Sequence, residues 1–446
     1  MTTAGHKGRF ITVEEAARMV RSGDWVDYSM GLGMPVALDR ALAARRDELS
    51  DVKVRGLLAL RPLQIVEQDR EQRAFTYTSW HLSGYERKLT EEGLCSYIPM
   101  QYRNKPEIYR KCLEVDVAFV SVTPMDSHGY FNFSLANSAT RAILETAKTV
   151  VLEVNPALPR TLGGAEECIH ISEVDYIVEG EPLAPVELAP SPASGAELAI
   201  AGYIVEQIRD GATIQLGIGA LPNAVGNQLA QSDLKDLGMH TEMLVDAYLE
   251  LWKNGKLTNS RKKVDQHKGV WSFCLGSKEL YEWVHDNPGL ASYPVNYSNS
   301  PEVMGRNDHL VTINSCLEPD IFGQVSSEST ATRQISGTGG QLDFVAGSFI
   351  SNGGKSFLCL TSTYRDKTNG ELKSRILPAI PQGATVTAPR SQIHNLVTEW
   401  GYANLAGLSL WERAEAVINI AHPDFRDDLI QEAEHMQIWR RSNKIA

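Results

Sequence analysis

Cysteine is scarce and scattered in this chain: Cys95, Cys112, Cys168, Cys274, Cys316 and Cys359 form no CxxC pair. That spacing excludes a disulfide-stapled secreted scaffold and a zinc ribbon, and reads as reduced, mostly buried thiols of a cytoplasmic protein. No apolar run approaches the roughly 20 residues of a membrane span. The opening MTTAGHKGRFITVEEAARMV lacks an apolar h-region, so no signal peptide is expected. Basic residues are in deficit: 43 Lys and Arg face 55 Asp and Glu, a net charge of −12. Such a surface repels phosphate backbones, so neither nucleic acid nor membrane is an expected partner. Glycine (35), proline (20), apolar content (43%) and charged content (22%) are ordinary, which excludes collagen-like, low-complexity and disordered classes.

What remains is a globular chain of 446 residues, enough for two or three domains. One stretch breaks the alternation of strands and helices: EPLAPVELAPSPASGAE, 181–197, carries Pro182, Pro185, Pro190 and Pro192. It reads as a linker between a domain over 1–185 and another over 196–446. An internal repeat supports that division. RSGDWVDYSMGLGMPVALDRAL (21–42) aligns with RDGATIQLGIGALPNAVGNQL (209–229), each reading as strand, glycine turn and helix with proline near its start. β-Branched runs predict parallel strands over 115–122, 149–154, 175–180, 309–314 and 384–389. Helices are predicted over 138–148, 196–209, 278–286 and 410–421, the last opened by a Ser409/Glu412 capping box. The expected fold is α/β: two related open α/β domains facing each other across an active-site cleft.

In open α/β sheets, ligands bind at the turns after the strands. The turn GIGA (217–220) follows TIQL, and SGTGGQ (336–341) precedes the apolar LDFVAG. Each reads equally as a tight turn or as an anion-facing one. Neither is followed by GK[ST] or has GxGxxG spacing, which removes nucleotide hydrolysis and hydride transfer. GxSxG and HExxH are absent, and the HxE pair His240/Glu242 lacks a following PCxxC, so no metal site is expected. Carboxylate nucleophiles remain. Glu242 in GMHTEM and Glu399 in VTEWG each stand alone between apolar residues, and pattern does not choose between them. The basic loop 253–268, with Lys253, Lys256, Arg261, Lys262, Lys263 and Lys268, reads as a solvated loop or a polyphosphate contact.

The runs IQLGIGALPNAV, GMHTEM, FGQVSSES, SGTGGQLDFVAG, GGKSF, VTEWG and ERAEAVINIAHPDFRDDL occur in order, preceded by VSVTPMDSHGYFNF and VVLEVNPALPR. Together they resemble the acetyl-CoA hydrolase/transferase family over nearly the whole chain, and within it the 4-hydroxybutyrate and butyryl-CoA:acetate CoA-transferases. The resemblance implies two CoA-transferase domains and a ping-pong reaction through a glutamyl-CoA thioester. It selects Glu242 as the nucleophile. Gly217, Ile218, Gly219, Ala220, Leu221, Leu317 and Gly340 match the family's coenzyme A contacts. Met30 and Met34, in YSMGLGMP, then border the acyl pocket and make it more apolar than in many relatives. Coenzyme A is implied as substrate and product, not as a permanently bound cofactor. Acyl-CoA and small carboxylates are the implied partners, with a homo-oligomer as the implied assembly. Transfer from acetyl-CoA to butyrate or 4-hydroxybutyrate leads; hydrolysis of acetyl-CoA, or transfer to a dicarboxylic acid such as itaconate, is the alternative.

Overall fold

Strands buried on both faces are what a parallel sheet needs, and VDVAFVSV is such a strand, with every residue but Asp116 buried. In a computed structural model, which describes residues 7–188, 192–217 and 219–438, it lies at the middle of an eight-stranded sheet. Contacts divide the chain into two units, Met1–Leu188 with Val270–Ser298, and Ala189–Gly269 with Asn299–Ala446.

In the first unit the strands are β1 (Arg9–Phe10), β2 (Trp25–Tyr28), β3 (Val52–Gly56), β4 (Phe75–Ser79), β5 (Cys95–Tyr97), β6 (Val115–Val122), β7 (Ala147–Val154) and β8 (Tyr176–Glu179). Their order is β1-β8-β7-β6-β2-β3-β4-β5, and every pairing is parallel. The chain runs outward from β2 to β5, then returns to β6 and runs the other way, so the order reverses between β2 and β6. Helix α1 (Ala37–Ala43) follows β2 across the turn Gly31–Gly33. Buried Glu153, near the end of β7, accepts the backbone N–H groups of Val36, Ala37 and Leu38 at 3.0, 3.2 and 2.9 Å.

The second half of the sequence is not one continuous body. Val270–Ser298 belongs to the first unit, tied there by backbone hydrogen bonds from Ser138 to Ser272, Cys274 to Leu135, Ser292 to Leu162 and Val295 to Ser138. No proline-rich run marks either end of this excursion, and the polar stretches that flank it, 256–269 and 297–302, do not differ from ordinary surface loops.

The second unit has a six-stranded sheet of β9 (Thr213–Leu216), β10 (Gly238–Met239), β11 (Leu310–Ser315), β12 (Lys355–Cys359), β13 (Asn395–Thr398) and β14 (Gly401–Asn404), in the order β10-β9-β11-β12-β13-β14. All pairs are parallel except the β13/β14 hairpin. Its helices include α2 (Gly195–Val205), α3 (Ala220–Gln231), α4 (Gln341–Ile350) and α5 (Leu410–Asn419). Glu412 accepts from both the N–H and the hydroxyl of Ser409, closing α5. Here the strand order reverses between β9 and β11. The repeated segments 21–42 and 209–229 thus build the same part of each unit: the strand beside the reversal, its glycine turn and the following helix.

The predicted strand over 384–389 does not form; only an isolated bridge joins Ala388 to Val325. Pro389 offers no N–H, and the segment's other polar groups are engaged elsewhere. Thr385 donates its N–H to the Ser329 hydroxyl, and the Thr387 hydroxyl donates to Glu328. The segment is a strap over 325–329.

Candidate active site

A crevice at the carboxyl ends of the strands, where their order reverses, is where an open α/β sheet binds ligands. In the second unit that crevice lies between β9 and β11, and a buried amide pair fixes its two walls. Gln215 and Asn314 exchange side-chain hydrogen bonds at 3.1 and 3.0 Å. Directly beyond Gln215, a Cβ on Gly217 would stand 3.3 Å from Asn314 Oδ1, so the turn starts close against β11. Gly219 has φ +120° with no atom near its absent side chain; its requirement is conformational. Ile218 lies outside the described residues. Ala220 and Leu221 open α3, and no acceptor for their N–H groups occurs among the described residues. The start of α3 thus offers N–H groups and the positive end of the helix dipole.

Glu242 comes off beside this turn. His240 donates its N–H to Ile214 O, and the Thr241 hydroxyl lies 3.4 Å from Leu216 O and 3.0 Å from Met243 O. The chain after β10 is thereby held along the end of β9. The Glu242 carboxylate is partly buried, and Asn299 Nδ2 donates to its Oε2 at 2.6 Å. Burial pushes its pKa from the ordinary 4.5 up to about 7, with the Asn299 bond opposing and the negative charge of Asp343 adding to the rise. Asp343 sits in the first turn of α4. A carboxylate so desolvated, yet ionised in a large fraction near neutral pH, is a stronger nucleophile than one in water.

Gly340 closes this side of the site. A Cβ there would fall 2.1 Å from Glu242 Oε2 and 2.1 Å from Asn299 Nδ2, so only glycine lets the carboxylate and its amide partner lie against α4. Leu317 follows β11 at the other wall, its N–H donated to Ser326 O at 3.0 Å. Gln341 joins the two walls by donating from Nε2 to Ser315 O at 2.9 Å. The second unit therefore brings together Glu242 with Gly340, and the 217–221 turn with the strand end that leads to Leu317. Asn299, Asp343, Gln215 and Asn314 were invisible in the sequence: they lie 57 or more residues from Glu242 or inside strands, and no spacing links them.

The other candidates sit elsewhere. Glu399 accepts the N–H and hydroxyl of Ser362 at 2.8 and 2.5 Å, a structural closure of the loop after β12. In the basic loop, Arg261 pairs with Asp236, Lys263 with Asp308 and Lys253 with Glu250. Lys262 is buried, donates to Met239 O and Lys268 O, and has its pKa lowered by burial to about 7. Most of the loop's charge is thus committed locally. In the first unit, Met34 lines a cavity of about 460 Å³ together with Leu32, Leu60, Arg61, Ser121 and Leu158. Met30 is outside that wall, buried, with the Tyr102 hydroxyl 3.2 Å from its sulfur.

Residues 3–188 match the acetyl-CoA hydrolase/transferase N-terminal domain, and residues 276–433 match the C-terminal domain of the same family. The chain belongs to the acetyl-CoA hydrolase/transferase family. It is 51% identical over 435 residues to the butyryl-CoA:acetate CoA-transferase of Anaerostipes caccae, covering 97% of each chain. To the 4-hydroxybutyrate coenzyme A transferase of Clostridium kluyveri it is 39% identical over 429 residues, 96% of this chain and 97% of that one. The crystal structure of RipA from Yersinia pestis superposes with a TM-score of 0.88 at 35% identity, covering 97% of this chain and 98% of that one. The family's two-part α/β architecture is therefore this chain's own, and the matched C-terminal domain begins inside the excursion that the first unit takes up.

Proposed function

We propose that the protein is an acyl-CoA:carboxylate CoA-transferase that moves CoA from acetyl-CoA or a similar donor to a small carboxylic acid such as butyrate or 4-hydroxybutyrate. The observation that carries this reading is the setting of Glu242: a carboxylate raised by burial to about 7, oriented by Asn299 and pressed against a glycine, at the strand-order reversal of its sheet. The names of relatives at 39–51% identity support it.

In this mechanism an oxygen of Glu242 attacks the thioester carbonyl carbon. The C–S bond breaks, CoA leaves as thiolate, and a mixed anhydride remains. The thiolate then attacks Cδ of Glu242, releasing the first carboxylate and leaving a glutamyl-CoA thioester. An acceptor carboxylate reverses both steps and restores Glu242 as the carboxylate. No proton is gained or lost overall. Each tetrahedral intermediate carries an oxyanion, and a well-placed donor is worth about 3 kcal/mol in such steps. The N–H groups of Ala220 and Leu221 are the proposed donors, with Gly217, Gly219, Leu317 and Gly340 as further contacts of coenzyme A. Met34, and less directly Met30, are proposed to set acyl selectivity.

Incubation with acetyl-CoA alone tests the reading. The intact mass should rise by one CoA, and borohydride should then inactivate the enzyme. Adding butyrate or 4-hydroxybutyrate should discharge the adduct into a new acyl-CoA. An adduct that still forms on the Glu242→Ala chain would place the nucleophile elsewhere, and release of free thiol unaffected by any carboxylate would make the protein a hydrolase.

A further inference from the structure

The segment Ser326, Ser327 and Glu328 makes three successive ties. Ser326 O accepts the N–H of Leu317 at 3.0 Å. The Ser327 hydroxyl donates to Gln341 Oε1 at 2.7 Å, and Gln341 directly follows Gly340. The Glu328 carboxylate accepts from the hydroxyl of Thr338 at 3.3 and 3.1 Å, from the hydroxyl of Thr387 at 3.0 Å and from Gln334 Nε2 at 3.4 Å. Its main-chain oxygen takes the N–H groups of Ile335 and Ser336 at 2.7 and 3.1 Å. Glu328 is buried, 2% exposed.

A buried hydrogen-bond network of this kind fixes the geometry of the segments it joins. What this one holds is the 336–340 turn. Thr338 is followed by Gly339, at φ +56°, and then by Gly340, whose Cα is the surface against which Glu242 and Asn299 rest. The path from Glu328 to Glu242 is short and contiguous: carboxylate, Thr338 hydroxyl, two glycines, nucleophile. The two glycines supply no side-chain packing of their own, so the height of the turn depends on the bonds at Thr338 and Gln341.

We propose that Glu328 is a positioning residue of the transfer reaction, which through Thr338 sets the Gly339–Gly340 turn against Glu242. This rests on Glu242 being the nucleophile. A turn released by the loss of these bonds admits water around the Glu242 carboxyl and misplaces it relative to the thioester. Misplacement of reacting groups by about 1 Å costs on the order of a hundredfold in rate.

The experiment uses Glu328→Gln and Thr338→Val in the full chain. Each nearly keeps the shape of the side chain it replaces and removes part of the hydrogen bonding. Two quantities are measured: the first-turnover rate of CoA adduct formation by intact mass, and the titration midpoint of the Glu242 carboxyl by 13C NMR, assigned through Glu242→Gln. Both variants should label at least tenfold more slowly, and the Glu242 midpoint should fall toward 4.5. The double variant should lose no more than the worse single, because both act through one contact. Wild-type rates and midpoints in both variants, with or without a lower melting temperature, would overturn the proposal. Should the wild-type chain form no adduct, the nucleophile assignment fails on its own, while the NMR midpoint still decides whether Glu328 holds the turn.

Discussion

Asn299 Nδ2 lies 2.6 Å from Glu242 Oε2, a side-chain bond across 57 residues of sequence that opposes the carboxyl's burial. Hydrogen bonds to charged groups are worth about 1.5–3 kcal/mol, or roughly 1–2 pH units. Asn299→Leu, which keeps the volume and removes the donor, should move the pH midpoint of CoA adduct formation upward by that amount. The rate at pH 6 should fall more than the rate at pH 9. A profile parallel to wild type at all pH would show that Asn299 does not tune the carboxylate.

Gly340→Ala separates catalysis from folding. The atoms a methyl group would meet are the free ends of the Glu242 and Asn299 side chains, which can swing aside without moving the main chain. Its φ of −100° suits alanine. The variant should melt within a few degrees of wild type yet form the CoA adduct about a hundredfold more slowly. Thermal denaturation and single-turnover labelling together check this, and a collapse in stability would mean that the turn cannot yield.

Glu242 should also cost the protein stability. Its folded carboxyl keeps its proton to about pH 7, whereas in the unfolded chain it loses the proton near 4.5. Between those values the folded state binds more protons, so this contribution falls as pH rises, and the cost is complete above 7 and absent below 4.5. The full displacement corresponds to at most about 3 kcal/mol. Glu242→Gln should therefore unfold at higher denaturant than wild type at pH 8, with the advantage vanishing by pH 4. Equal midpoints at both pH values would contradict a carboxyl destabilised by its burial.

In the first unit, Met34 rather than Met30 should govern acyl selectivity. Met34 forms part of the cavity wall, and its methyl carbon packs 2.7 Å from where a Cβ on Gly56 would lie. Met34→Ala should raise kcat/KM for longer acids relative to acetate, each newly buried methylene bringing about 0.8 kcal/mol. Met30→Ala, which removes one contact of the Tyr102 hydroxyl and leaves its bond to Ser138 Oγ, should lower stability with little change in that ratio. The same carboxylate panel on both variants decides.

The glycine turns and most of the parallel strands were legible because each leaves a local signature: clustered glycines and β-branched runs. In both units the repeated strand lies beside the reversal of strand order and carries the glycine turn. Glu242 emerged from resemblance, not from pattern; the surroundings of the two candidates, Asn299 beside Glu242 and Ser362 beside Glu399, are visible only in the structure. Asn299, Glu328 and the 270–298 excursion had no local signature. Their roles consist of contacts made between distant segments, which neither periodicity nor spacing records. The 384–389 run misled for a related reason: its β-branched residues serve a strap whose partners are the serines and glutamate of 326–329.

The bonds from Val36, Ala37 and Leu38 to Glu153 give the helix after β2 a built-in counterion, while Ala220 and Leu221, at the matching place in the second unit, have no such partner among the described residues. The two copies of the repeat therefore differ in how they are completed. The first is electrically closed by its own chain and should gain nothing from an added anion at that helix start. The second is open to completion from outside, and on the proposed reading a ligand acceptor bound there adds its binding free energy to the cohesion of that unit alone. On addition of CoA, amide hydrogen exchange should slow around 213–231 and stay unchanged around 25–43, a difference in breathing between two halves of common design.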